Sequence, residues 1–358
     1  MRYIFKKRYE QDFGLAKHGG DVFWYTLLAA CVLVLPFALS DYYIGELSML
    51  LIWSIGGLGT MLLVGYTGQV SLGQAAFIGI GAYTEAVLVS QGVTPVLALP
   101  TAAAAAGVMG LMIGLPLTRL HGIYLAIGTL AFAAITEQVF AHWESLTGGH
   151  RGLPVPPLAW GDLSFDAARP FYYLCVLLTV TSTVLVLNWM RSPTGRALVA
   201  LRDSEVAARS MGVNLVYYKS VAFSASAALS GLMGALLAHK ISYLSPEVFS
   251  PLLSIQMLML VVVGGLGSIH GVFLGAVFIV ILPLVISAAK TYMPDSIAQQ
   301  PAIEPGLYGV LLVAFIVFEP TGIHGRWQKV KYFFATFPLY KTASFKRQKT
   351  YMRSERLR

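Results

Sequence analysis

Apolar runs of about twenty residues recur along this chain, and nothing else limits its fold as strongly. They fall at roughly 22–40, 45–65, 75–91, 96–117, 122–141, 171–190, 217–239 and 303–320. A further apolar region, 253–290, is divided by Gly264-Gly265-Leu266-Gly267-Ser268 and reads as two helices, the first short. A hydrocarbon layer about 30 Å thick is crossed by about 20 helical residues, and inside it every backbone N–H and C=O must find a partner within the protein. These ten segments predict an all-α integral membrane protein, a polytopic bundle of about ten transmembrane helices. Charged residues make up only 12% of the chain, about half the share of a soluble domain, so lipid is the expected solvent.

The basic residues set the expected orientation. With the N-terminus inside and ten crossings, the cytoplasmic segments carry 21 of the 25 Lys and Arg, and the outer segments keep only Arg151, Arg169, Lys240 and Lys290. Such asymmetry follows the positive-inside rule and predicts both termini in the cytoplasm. The net charge of +8 is confined to short segments beside the spans, so it reports orientation rather than nucleic-acid binding. The chain divides into a cytoplasmic segment 1–21, a membrane domain 22–320 and a basic tail 321–358. The tail has no apolar periodicity from 326 on, and is expected in solvent or on anionic headgroups. Ala38-Leu39-Ser40 mimics a signal-peptide cleavage site. The charged stretch before it and the apolar run itself are both too long for one, so 22–40 is read as a retained span. Cys31 and Cys175 lie within apolar runs and make no disulfide framework.

Two connections carry unusual chemistry. Gly65-Tyr66-Thr67-Gly68-Gln69-Val70-Ser71-Leu72-Gly73-Gln74 lies between two spans, uncharged and rich in hydrogen-bonding groups. Irregular backbone at membrane depth needs protein or a water-filled cavity around it, which predicts a broken or re-entrant helix lining a polar path. An ordinary cytoplasmic turn is the alternative, and it does not need so many uncharged polar groups. The cytoplasmic loop 191–216 is amphipathic. Ala197, Leu198, Leu201, Ala208 and Met211 form a rough helical stripe, and Gly212 is a natural stop. Its apolar face suits a partner's groove, with the membrane surface as the alternative. On the outer side, the loop 142–170 holds Thr147-Gly148-Gly149-His150-Arg151-Gly152.

Other features point to packing. Gly110-x-x-x-Gly114, Gly271-x-x-x-Gly275 and the alanines 102–106 let helices approach closely. Gly-Gly-Leu-Gly recurs at 56–59 and 264–267 and hints weakly at an internal repeat. Glu85 and Glu137 sit in the outer halves of predicted spans, where an interhelical hydrogen bond or snorkelling is expected. His239 and Lys240 mark another outer end. The sequence contains no Gly-x-x-x-x-Gly-Lys-Ser/Thr loop, no His-Glu-x-x-His or Cys-x-x-Cys spacing and no Gly-x-Ser-x-Gly elbow. Neither ATP hydrolysis nor metal or serine catalysis is therefore expected of this chain.

Several motifs, in order, resemble the LivM-type permease subunits of ATP-binding-cassette importers for branched-chain amino acids. They are Gly68-Gln69-Val70-Ser71-Leu72-Gly73-Gln74-Ala75-Ala76-Phe77; Gly122-Ile123-Tyr124-Leu125-Ala126 with Thr129-Leu130-Ala131-Phe132; Thr147-Gly148-Gly149; Gly195-Arg196-Ala197 with Arg202-Asp203, Ala207-Ala208 and Gly212; and the glycine turn 264–268. The resemblance covers about 45–320. It implies a second, LivH-like permease subunit, two ATPase subunits that hold ATP-Mg, and a periplasmic solute-binding protein. This chain itself is expected to carry no cofactor and to meet membrane lipid, not nucleic acid.

On the same basis, Gly68, Gln69, Ser71, Gly73, Gln74, Thr129 and Glu137 are expected along the translocation path. Gly195, Arg196, Arg202, Asp203, Ala207 and Gly212 are expected to couple to an ATPase, and Thr147, Gly148 and Gly149 belong to the periplasmic loop. The chain departs from the family pattern at Ala134, a position often acidic, with Glu137 one turn later, and at His150 and Arg151. The expected function is translocation of branched-chain amino acids or a related small solute, such as urea, amides or aromatic acids. An ion-coupled secondary transporter using Glu85 and Glu137 is the competing reading. A membrane scaffold leaves the polar stretch 68–74 unexplained.

Overall fold

The computed structural model describes residues 19–336 except 119, 121, 161–162, 165–166, 291–302 and 320. Most of the N-terminal segment, Arg119 and the tail beyond 336 thus lie outside the described residues. Helices dominate: α1 (Gly19–Ala38), α2 (Asp41–Thr60), α3 (Gln74–Ser90), α4 (Pro95–Leu117), α5 (Ile123–His142), the single turn α6 (Glu144–Thr147), α7 (Ala168–Arg191), α8 (Pro193–Asp203), α9 (Glu205–Ser210), α10 (Leu215–Ile241), α11 (Pro251–Gly264), α12 (Ile269–Lys290), α13 (Ile303–Phe318) and α14 (Gly322–Thr336). Among the described residues, seven helical segments are long and apolar enough to cross a membrane and three more are shorter and apolar. These ten match the ten expected segments.

The centre of the bundle is α2 and α10. Their candidate spans are 78% and 67% buried, against 28–33% for those of α4, α5, α7 and α12. The peripheral helices turn large apolar side chains outward, such as Met112, Ile135 and Leu185, as lipid-facing surfaces do. Small residues set the central crossings. A Cβ on Gly81 would enter the backbone of Gly231, and one on Gly234 would enter the carbonyl of Ile78, so α3 and α10 touch main chain to main chain. Gly110 and Gly114 of α4 rest on Ala227 and Phe223 of α10, and Gly271 and Gly275 of α12 rest on Gly264 and Leu260 of α11. Close backbone approach gives dispersion contacts that a lipid-exposed helix pair otherwise lacks.

Two expectations change. The Gly-Gly-Leu-Gly at 56–59 lies inside α2. The one at 264–267 makes the turn between α11 and α12, with Gly265 at φ 120° and Gly267 at φ 78°. The recurrence therefore marks two different structures, not a repeat. Residues 322–336 of the basic tail, expected in solvent or on anionic headgroups, form α14, whose Ile323 packs on the core. Glu319 anchors its first turns through Arg326 (2.8 Å) and Lys329 (3.2 Å). At the end of the bundle away from the loop 191–216, Leu153–Pro154 pairs antiparallel with Tyr243–Leu244 and fastens the loop after α5 to the end of α10.

Candidate functional site

The polar stretch begins where α2 loosens. Met61–Tyr66 forms a π-helical turn, and Thr67 donates its hydroxyl to the carbonyl of Leu63. Such widened turns leave carbonyls without their usual helical partner. The chain then runs non-helically to α3, with Gly68 in the left-handed region at φ 69°. The polar side chains of the connection are buried, with Thr67, Gln69, Ser71 and Gln74 each at most 5% exposed, while Gly68 and Val70 between them are exposed.

Its hydrogen bonds reach three other helices. Leu72 N donates to Thr129 Oγ1 of α5 (2.9 Å), and Ala75 N donates to Ser254 Oγ of α11 (2.9 Å). The Gln74 amide donates to Ser226 Oγ (3.1 Å) and accepts from Ser230 Oγ (2.6 Å), both on α10. The N-terminal N–H groups of α3 thus gain a side-chain acceptor in Ser254 and not in a local cap. The amide of Gln69 is the exception, since it is buried with neither its nitrogen nor its oxygen hydrogen-bonded. Further along α3, Tyr83 packs with Phe140 and Phe249, with ring centroids 4.6–6.2 Å apart.

The loop 191–216 folds as two helices rather than one. Ser204 is extended and caps α9, accepting from Ala207 N. Gly212 ends α9 at φ 84°, so the expected stop is present. Gly195 lets α8 lie on α7, because a Cβ there would enter the backbone of Met190. Leu198, Leu201 and Ala208 pack into a second apolar cluster with Leu63, Leu125, Ala222 and Phe223. Most of the loop's apolar stripe therefore covers its own bundle. Met211 does not join it: Met211 is 85% exposed and Val206 82% exposed. Those two form the loop's outward apolar surface. Lys219, only 3% exposed, pairs with Glu205 at 2.7 Å and ties α9 to α10.

Arg202 joins the loop to the polar connection. Its Nη1 donates to the carbonyl of Gly65 in the π turn (3.1 Å), while Nε and Nη2 donate to Asp203. Its side chain lies over Gly68 and beside Gly267, where a Cβ would stand 3.2 Å and 3.3 Å away. Gly267 N in turn donates to Met61 Sδ (3.1 Å). One guanidinium thus touches the broken end of α2 and the glycine turn between α11 and α12.

The model for "Branched-chain amino acid transport system / permease component" matches residues 42–316. The high-affinity branched-chain amino acid transport system permease protein LivM of Salmonella typhimurium is 36% identical over 80% of this chain and 71% of its own length. Its Escherichia coli counterpart is 36% identical over 83% and 74%. The chain belongs to this permease family. A more distant relative, the autoinducer 2 import system permease protein LsrC of Salmonella typhimurium, is 24% identical over 82% of this chain and 84% of its own. No solved structure matches.

The remaining expected residues of this permease lie apart from the seam. Glu137 sits partly exposed on α5, two turns outward of Thr129, and makes no hydrogen bond among the described residues. Arg196 reaches only the carbonyl of Arg191, and Ala207 is exposed. Thr147 is buried, donating to Phe140 O and Trp143 O and accepting from Gly149 N (3.2 Å), so it shapes the turn after α5 with Gly148 and Gly149, both at positive φ. Glu85 makes the expected interhelical contact, with Oε1 3.2 Å from His239 Nε2. Sequence reading did not single out Ser226, Ser230 and Ser254, because serine is common in membrane helices and only packing shows that these three converge on α3.

Proposed function

We propose that this chain is a membrane-spanning permease subunit of an ATP-binding-cassette importer for branched-chain amino acids or a closely related small solute. It works with a second permease subunit, two ATPase subunits that hold ATP-Mg, and a periplasmic binding protein. Both termini lie in the cytoplasm, which puts the loop 191–216 and the break at 61–73 on the same, inner side.

The observation that carries the reading is the contact of Arg202 with Gly65. An ATPase that closes on ATP moves the loop through its outward residues, Val206 and Met211 with Ala207 and Gly212. Arg202 delivers that motion to the π turn, where the backbone is already freed from regular helical bonding. The connection 68–74 then shifts against Thr129, Ser226, Ser230 and Ser254, exchanging one set of hydrogen bonds for another. A seam of neutral donors and acceptors suits such exchange, since no buried charge is stranded at any stage. The free amide of Gln69 is a ready contact for a passing polar group. Motion couples to transport only if ATP and solute favour different states of this element.

The test is uptake of labelled leucine, isoleucine and valine, with urea and an aromatic acid alongside, into vesicles holding the complete assembly. Uptake that requires the ATPase subunits and ATP supports the reading. Uptake that continues without them, driven by an ion gradient, refutes it.

A further inference from the structure

A second polar site lies at the opposite, outer end of the bundle, unused by the seam or the coupling loop. A cavity of about 520 Å3 opens between the outer ends of α2, α7 and α10 and the segment 155–158. This falls within the ~300–1,000 Å3 of small-molecule pockets.

Lys240 lines the cavity, partly buried, and has no hydrogen bond or ion pair among the described residues. Its Nζ lies 2.7 Å from where a Cβ would stand on Gly45, so glycine at that position makes room for the ammonium beside α2. A cation partly withdrawn from water calls for an opposite charge. His239 lines the same cavity with its side chain 3% exposed; Glu85 occupies its Nε2, and its Nδ1 has no partner. Two helices, α2 and α7, begin at the cavity wall, at Asp41 and Ala168, and their unpaired N–H groups favour an anion. The same wall also carries a carboxylate, Asp41 itself. Val155, Leu158 and Phe171 supply an apolar patch, while Ser48 and Ser242 add hydroxyls to a lining that is more polar than apolar.

One cation, one carboxylate and a small apolar patch match a compact zwitterion with a hydrocarbon side chain. The phosphate of an anionic phospholipid would satisfy Lys240 but set an uncompensated negative charge near Asp41. We propose that this cavity is an outer acceptance site for an α-amino acid with an apolar side chain. Lys240 takes its carboxylate, Asp41 its ammonium, and the Val155–Leu158 segment with Phe171 packs its side chain. The inference rests on the transport function proposed above and adds the place where the solute is first held on this chain.

The experiment measures equilibrium binding of labelled leucine to the permease–ATPase assembly in nanodiscs, without the binding protein. Leucinol, which lacks the carboxylate, and 4-methylpentanoate, which lacks the ammonium, serve as competitors. We expect saturable leucine binding that neither competitor displaces. Lys240→Met weakens it by about tenfold or more, the effect of losing one charge-assisted contact. The competitor series needs no mutation, so it decides the matter even if Lys240→Met fails to fold. The proposal is overturned if leucine does not bind, if leucinol competes as well as leucine, or if folded Lys240→Met binds leucine like the wild type. It is also overturned if anionic lipid, and not leucine, is what Lys240→Met releases. Uptake by the wild-type assembly is measured in parallel. Uptake without binding here removes this site and leaves the transport function standing, whereas binding without uptake does the reverse.

Discussion

In the orientation proposed above, the inner and outer ends of this bundle differ in the kind of polarity they bury. At the inner end, Gln74, Ser226, Ser230, Ser254 and Thr129 are neutral and bonded to one another or to main chain, and the groups left without a partner, the Gln69 amide and the Ser220 hydroxyl, are neutral as well. At the outer end, Lys240, His239 and Glu85 are titratable and only partly satisfied, with His239 Nδ1 and one oxygen of Glu85 left without a partner. Neutral hydrogen bonds exchange at low cost, whereas an unpaired titratable group holds its place until something completes it. The contrast fits the two proposals above, motion at the inner end and recognition at the outer end.

Arg202→Glu should break the inner half of this contrast most severely. It removes the bond to Gly65 and places a carboxylate against a carbonyl beside Asp203. Uptake is expected to fall by roughly tenfold to a hundredfold, the span of ordinary coupling energies, while the protein still assembles. Gln74→Leu comes next. Losing its two bonds to α10 in a buried site should cost about 1–3 kcal/mol, read as a lower melting temperature in detergent. The double variant Val206→Asp, Met211→Asp leaves the internal cluster around Leu198 and Leu201 intact. It should weaken ATPase binding by about tenfold without lowering melting, measured by copurification and titration. Asp203→Asn should do least, about 0.5 kcal/mol or below, because the Arg202–Asp203 pair is exposed to solvent. A large uptake loss in Asp203→Asn would mean that the pair, not the Gly65 bond, carries the coupling.

The spans were legible in the sequence because lipid demands long apolar helices, and that demand leaves a mark on every residue. The polar stretch 65–74 stood out for the same reason, as a gap in that pattern. Its partners were not legible. Ser226 and Ser230 lie more than 150 residues away from Gln74, and nothing local distinguishes them from other helical serines. The coupling loop shows the limit of periodicity alone. Its stripe was readable, but a stripe does not say what covers it. Leu198, Leu201 and Ala208 cover the chain's own core, and Met211, which the same periodicity grouped with them, faces away. Glu137 was attractive as an intramembrane acid, yet it sits outward of Thr129 and outside the hydrogen-bonded seam. The cavity at Lys240 depends on Gly45 and the ends of three helices meeting, which no motif records.

The ratio of solute imported to ATP hydrolysed tests the link between loop and path most directly. It is measured in vesicles containing the full assembly, with Arg202 changed to Gln. If the guanidinium conveys loop movement to the loosened turn of α2, hydrolysis continues while import drops, and the ratio falls by about tenfold. A ratio equal to that of the wild type, whether both rates persist or both decline together, contradicts it.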